Sequence, residues 1–184
     1  MISFDKKFIF IHPGKCGGST IKREFLYLSR KYKFDTSYRE KHKPLDFFID
    51  LIQSENKNPE DFFKFSIVRN PWDRAVSWYY HWHMVHREGQ KCIPFSRWLK
   101  TRGINLRFQD LDKMDYVMKL EDLDVGITHV LSVLDIPQIK VTQHITHNTQ
   151  RPTHKHYSEY YDDETQHIVG ELYSDMIEKF QYTF

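Results

Sequence analysis

Two cysteines in 184 residues, Cys16 and Cys92, are too few for a disulfide framework. Cys16 lies in a glycine-bearing loop where a bridge would be awkward, so a reduced, cytoplasmic compartment is expected. Long hydrophobic runs are also missing. The apolar run nearest the start, Phe8 to Ile11, has four residues and is preceded by charged ones. Neither a signal peptide nor a membrane span is therefore expected. Excess charge of one sign is absent too: 27 Lys and Arg against 25 Asp and Glu leave a formal charge of +2. That offers no broad footprint for nucleic acid. Repeats, linkers and a second domain are not visible, so residues 1–184 read as a single domain of ordinary size.

What the chain does have is aromatic side chains, with 14 Phe, 11 Tyr and 4 Trp, enough for a well-packed core or a stacking surface. The most informative stretch is Ile9-Phe10-Ile11-His12-Pro13-Gly14-Lys15-Cys16-Gly17-Gly18-Ser19-Thr20. Phe8 to Ile11 reads as a buried strand. The chain turns at Pro13 and Gly14, and Ile21, Phe25 and Leu28 then recur at helical spacing. A strand that turns through glycines into a helix start makes a place for phosphate. The first N–H groups of the helix are bare there, and its dipole adds positive charge. Gly17 and Gly18 let the main chain approach an anion, Ser19 and Thr20 offer hydroxyls, and Lys15 brings a full charge.

The remaining chain alternates between strand and helix patterns. The spacing predicts a helix from about Gly18 to Arg30, a basic connection from Arg30 to Lys43 carrying His42, and a second helix from Pro44. Phe63 to Arg69 predicts a second buried strand. It runs into Asn70 as N-cap and Pro71 as first residue of a helix reaching about His86, with Trp72, Val76, Tyr79 and His83 on one side. A short helix holds Phe95, Trp98 and Leu99, a third strand runs from Tyr116 to Leu120, and a helix covers about Glu121 to Leu134. Residues 141–156 have no periodicity and predict a long irregular loop of the kind that often carries function. One last helix starts near Asp163, where Asp163 to Gln166 resembles a capping box. It should bury Val169, Leu172, Tyr173, Met176, Ile177 and Phe180. This order argues for an α/β fold of three layers, P-loop-like, with a central parallel β-sheet flanked by helices and ligands at the carboxyl ends of the strands. The junctions at Lys15 and Arg69 would then open on one rim.

A nucleoside-triphosphate P-loop sets its lysine after the glycines, whereas Lys15 precedes Gly17 and Gly18. Such an enzyme also needs a carboxylate for Mg²⁺, usually at a strand end, and the second strand here ends in Arg69. An arginine fork, with the Ser77 hydroxyl two helical turns on, suits a second phosphate monoester. Two anion sites fit a nucleotide phosphorylated at both its 5′ and 3′ positions. Plainer readings stand beside these: the glycine pair as a tight turn, Arg69 pairing with Asp73, and Ser77 as a small residue at a helix contact. No metal is expected. His81, His83 and His86 lack the i, i+4 spacing of a helical metal site, and His144, His147, His154 and His156 come without a supporting cysteine.

In these residues the chain resembles the sulfotransferases that use 3′-phosphoadenosine-5′-phosphosulfate (PAPS), most closely their carbohydrate sulfotransferase-like branch. The likeness rests on four stretches: Lys15 to Thr20, Phe65 to Ser77 through Val68-Arg69-Asn70-Pro71-Trp72-Asp73-Arg74, Lys119-Leu120-Glu121-Asp122-Leu123, and the tail from Tyr160 to Tyr182. The resemblance implies that Lys15, Cys16, Gly17, Gly18, Ser19 and Thr20 surround the 5′-phosphosulfate, with Lys15 on the bridging oxygen. It implies that Arg69 and Ser77 bind the 3′-phosphate and that the loop near Asn148 and Arg151 covers the co-substrate. The implied reaction is in-line, metal-independent transfer of a sulfuryl group to a hydroxyl of a carbohydrate or small-molecule acceptor, leaving adenosine 3′,5′-bisphosphate (PAP). His42 matches a histidine of that branch and is the candidate general base, with Glu24 and His12 as alternatives. Neither nucleic acid nor a membrane is an expected partner, and the oligomeric state stays open. The competing readings are a metal-dependent P-loop nucleotide kinase or NTPase, and a non-catalytic nucleotide-binding module.

Overall fold

The computed structural model describes residues 1–36, 42–86, 93–102, 110–137 and 155–184. The chain divides into two compact units, Met1–Val68 with Arg107–Ile145, and Arg69–Leu106 with Thr146–Phe184.

The first unit holds the sheet. Its strands are β1 (Ile2–Ser3), β2 (Phe8–Ile11), β3 (Phe63–Val68) and β4 (Tyr116–Lys119), in spatial order β1-β2-β3-β4. β2, β3 and β4 run parallel, with Phe8 opposite Phe63 and Phe65 opposite Tyr116, so Ile11, Val68 and Lys119 end on the same edge. The sheet is not wholly parallel as expected, because β1 pairs antiparallel with β2. Two residues are too short a strand for any periodicity to reveal.

Strand alternation sorts the core into two layers. Phe8 and Phe10 face one way, into a cluster with Phe65 and Ile67, with Ile21, Phe25 and Leu28 of α1 (Gly18–Tyr32), and with Ile127, Val130 and Leu131 of α5 (Leu123–Val133). Ile9 and Ile11 face the other way, onto Leu45, Phe48 and Ile52 of α2 (Leu45–Ser54). Each of these large side chains contributes about 1.5–3 kcal/mol by leaving water. Sandwiching β2 between helices explains why all four of its residues are apolar and buried.

The second unit is helical: α3 (Pro71–His86), α4 (Phe95–Arg102), α6 (Asp163–Leu172) and α7 (Ser174–Phe180). Aromatic edges hold it together, with Tyr79 against Phe95 and Trp98, both at 5.5 Å, and Phe95 against Tyr161 at 4.8 Å. The single last helix predicted from sequence is in fact two. Tyr173, at φ −120, breaks the run, and Leu172, expected inside, is 54% exposed. The capping box sits one residue earlier than expected, with Asp162 and Thr165 satisfying each other's backbone N–H.

Candidate functional site

Between β2 and α1 the loop from His12 to Gly17 carries two left-handed residues, Lys15 at φ 65 and Gly17 at φ 79, on either side of Cys16. Such alternation curls successive backbone N–H groups toward a shared concavity that suits an anion. Gly17 is the N-cap of α1, and no side chain caps the helix; its first turn carries no acidic residue either. The positive helix end is thus left to backbone N–H groups, the arrangement expected from sequence. Ser19 is exposed at this end, Lys15 is half-buried and Thr20 is buried. The Cys16 side chain belongs to the core cluster, and its thiol approaches the Gly14 carbonyl at 3.6 Å. It anchors the loop rather than offering a donor to a ligand.

The two glycines have a reason within the fold that sequence did not disclose. A Cβ on Gly17 would stand 2.5 Å from Leu120 Cδ1, just past the end of β4. A Cβ on Gly18 would run into the imidazole of His12, with Cγ at 2.5 Å and Cδ2 and Nε2 nearer still. Both positions therefore admit neighbouring side chains as well as any anion.

His42 arrives at the same loop from 30 residues away. Its backbone is left-handed, φ 60, a conformation that costs a non-glycine residue about 1–2 kcal/mol. Its Nδ1 lies 2.9 Å from the His12 carbonyl oxygen. A carbonyl oxygen only accepts, so Nδ1 carries the proton, and in the neutral ring Nε2 holds the lone pair. The two imidazoles lie 4.6 Å apart, inclined by 34°, and the His12 ring is also stacked on Phe10 at 6.0 Å. Two of the three candidate bases thus come together at the loop. The third, Glu24, does not. It is buried on α1 beside Arg23, Nε to Oε1 3.6 Å, about 9 Å along the helix axis from Gly18.

The junction after β3 has a different construction. Arg69 is buried, and its Nε and Nη2 both reach Asp73 Oδ2, at 2.8 and 2.6 Å. The plain ion-pair reading is therefore present, and it fixes the guanidinium plane. Asn70 caps α3 as expected: its Oδ1 accepts from the N–H groups of Trp72 at 3.0 Å and Asp73 at 3.3 Å. Its Nδ2 donates to the Thr183 carbonyl at 2.9 Å. Ser77 is 1% exposed, and among the described residues its buried hydroxyl has no hydrogen-bond partner. Such a group costs about 1–3 kcal/mol unless something accepts from it. Arg74, for which sequence suggested no role, is 2% exposed; its place in the Asn70-to-Ser77 stretch was the one available signal.

Asn148, Arg151 and Cys92 lie outside the described residues. Among the described residues, no three His, Cys, Asp or Glu side chains gather as a metal site, and no helix is long and apolar enough to cross a membrane.

The profile of the Sulfotransferase family matches residues 1–183, across both units. No curated protein sequence matches the chain. Among solved structures, mouse sulfotransferase SULT7A1 complexed with PAP is similar, with a TM-score of 0.59 at 11% identity, covering 96% of this chain and 86% of that one. At that identity the likeness is one of fold.

Proposed function

This chain belongs to the sulfotransferase family, and on that premise we propose that it transfers a sulfuryl group from PAPS to a hydroxyl of a carbohydrate or small-molecule acceptor. The observation that carries the reading is the loop itself. An uncapped helix start with Lys15 beside it meets an imidazole whose Nε2 is the proton-accepting atom.

PAPS supplies a sulfuryl group already bonded to a phosphate leaving group. Lys15 and the N–H groups around Gly17 to Ser19 would hold the 5′-phosphosulfate and stabilise charge developing on the bridging oxygen. Because the moving group carries less charge than a phosphoryl group, donors of this kind suffice. Arg69 and Ser77 would take the 3′-phosphate. The orphaned Ser77 hydroxyl supports that role, since a phosphate oxygen would satisfy it, and Asp73 supports it by orienting the guanidinium. His42 Nε2 would accept the acceptor's proton.

The carbohydrate assignment draws support from the outer face of α1. Ser19, Arg23, Tyr27, Arg30 and Lys31 are exposed at helical spacing, leading away from the loop, and Lys31 Nζ lies 5.9 Å from the Tyr27 ring and 5.2 Å from that of Tyr32. Aromatic faces beside cations suit sugar rings bearing acidic groups. A buried Cys16 thiol that is not joined in a disulfide among the described residues supports a reducing, cytoplasmic setting.

The test is sulfuryl transfer from labelled PAPS to a panel of sugars, phenols and lipids. Transfer to sugars by the native protein, and about 100-fold less by Lys15→Ala, is the expected result. No transfer to any acceptor, or equal rates in both proteins, would overturn the reading.

A further inference from the structure

The base reading of His42 leaves a physical problem. The side chain is exposed, and its one hydrogen bond among the described residues, to a carbonyl, does not by itself hold an exposed imidazole in one rotamer and one tautomer. Its left-handed backbone is the less stable choice for such a residue. Among the described residues, the neighbour in contact with the His42 side chain is His12.

We propose that His12 is the positioning residue of the reaction: its main-chain carbonyl sets His42 as the Nδ1–H tautomer, and its ring braces the His42 ring. Three contacts converge on it. Phe10 lies on one side of the imidazole, the His42 ring is 4.6 Å away, and the bare Cα of Gly18 leaves the space in which the ring sits. The His12 ring is thus wedged between the strand and the first residue of α1, and the base leans on a fixed surface. When the acceptor hydroxyl gives its proton to His42 Nε2, Nδ1 keeps its own, and the same carbonyl accepts from the imidazolium. Neither His12 nitrogen exchanges a proton in this scheme, so a ring without nitrogen can replace it.

The inference rests on His42 being the base, and the experiment separates the two. Long-range ¹H–¹⁵N spectra of the histidine-labelled protein, with His42 assigned by its loss in His42→Ala, should show the neutral ring protonated at Nδ1 and bare at Nε2. His12→Ala keeps the carbonyl but removes the ring that holds His42 against it, so His42 should loosen into a mixture of rotamers and tautomers and sulfuryl turnover should fall about 10- to 100-fold, with PAP affinity kept within about threefold by calorimetry. His12→Phe should restore the single tautomer and most of the turnover. An Nε2–H tautomer in the native protein overturns the proposal outright, even if no variant folds. So does His12→Ala with native tautomer and native rate. If His42→Ala turns over at the native rate while the tautomer is as described, the base reading fails and the brace remains without a catalytic purpose.

Discussion

Replacing Gly18 with alanine tests the loop's packing directly. The new methyl would stand 2.5 Å from His12 Cγ and closer to Cδ2 and Nε2, whereas carbon atoms pack at about 3.5–4.0 Å. The ring would therefore have to withdraw by roughly 2 Å, away from Gly18 and through the space it shares with Phe10 and His42. Overpacking of this kind costs about 1–3 kcal/mol. Alanine in place of glycine within a helix returns about 0.5–1 kcal/mol. The net loss should be about 0.5–2 kcal/mol, lowering Tm by roughly 1–8 °C for a chain of this size. The decisive comparison is the same substitution in a His12→Ala background, where the obstructing ring is gone. There Gly18→Ala should be neutral or slightly stabilising, giving a coupling of about 1–3 kcal/mol in a double-mutant cycle read by urea unfolding. A coupling below about 0.5 kcal/mol would mean that the ring does not occupy that space, and the argument for the glycine would fall.

Two further outcomes follow from other contacts. Asp35 is exposed, and although partial desolvation of its carboxylate by neighbouring atoms by itself raises its pKa, N–H groups of Asp5 at 2.8 Å and Phe4 at 3.0 Å and the Ser3 hydroxyl at 3.0 Å bring it below the ordinary carboxylate value. Its contribution is then fully present above the unfolded value of about 4 and is lost as pH falls through the lower folded one. Asp35→Asn should cost about 1 kcal/mol at pH 7, allowing for exposure, with the gap to the native protein closing in urea titrations below about pH 4; a gap that widens in acid refutes the sign. Arg69→Ala and Ser77→Ala should each weaken PAP binding about 10- to 100-fold by calorimetry while leaving adenosine 5′-phosphate unchanged. Equal losses for both nucleotides would remove the 3′-phosphate from these residues.

The parallel strands, the helices that follow them and the two strand-to-helix junctions were legible because each is written locally. Phe8 to Ile11 is a short apolar run ending at a turn, and Asn70-Pro71 is an N-cap followed by a first helical residue. Val76 and Tyr79 were expected on the buried side of α3 and are found there. What escaped is non-local or too brief for a period. β1 has two residues, and the break at Tyr173 interrupts a pattern that would serve one continuous helix equally well. At the site, Lys15 and the glycine pair could be read as an anion loop, yet the roles of Leu120 and His12 in filling the glycines' missing Cβ positions depend on residues that meet only in the fold. His42 stood out only by resemblance. Its approach to the His12 carbonyl, which decides its tautomer, is a tertiary contact that no spacing rule encodes.

The proposed binding of a doubly phosphorylated nucleotide is tested most directly by calorimetry of the native protein with PAP and, separately, with ATP and Mg²⁺. The arrangement of Lys15 ahead of the glycines and Arg69 after β3 predicts binding of PAP at micromolar concentration or tighter, about −8 kcal/mol, and ATP–Mg²⁺ at least about 100-fold weaker. Tight binding of ATP–Mg²⁺ with none of PAP would contradict it and return the loop to the nucleotide kinases.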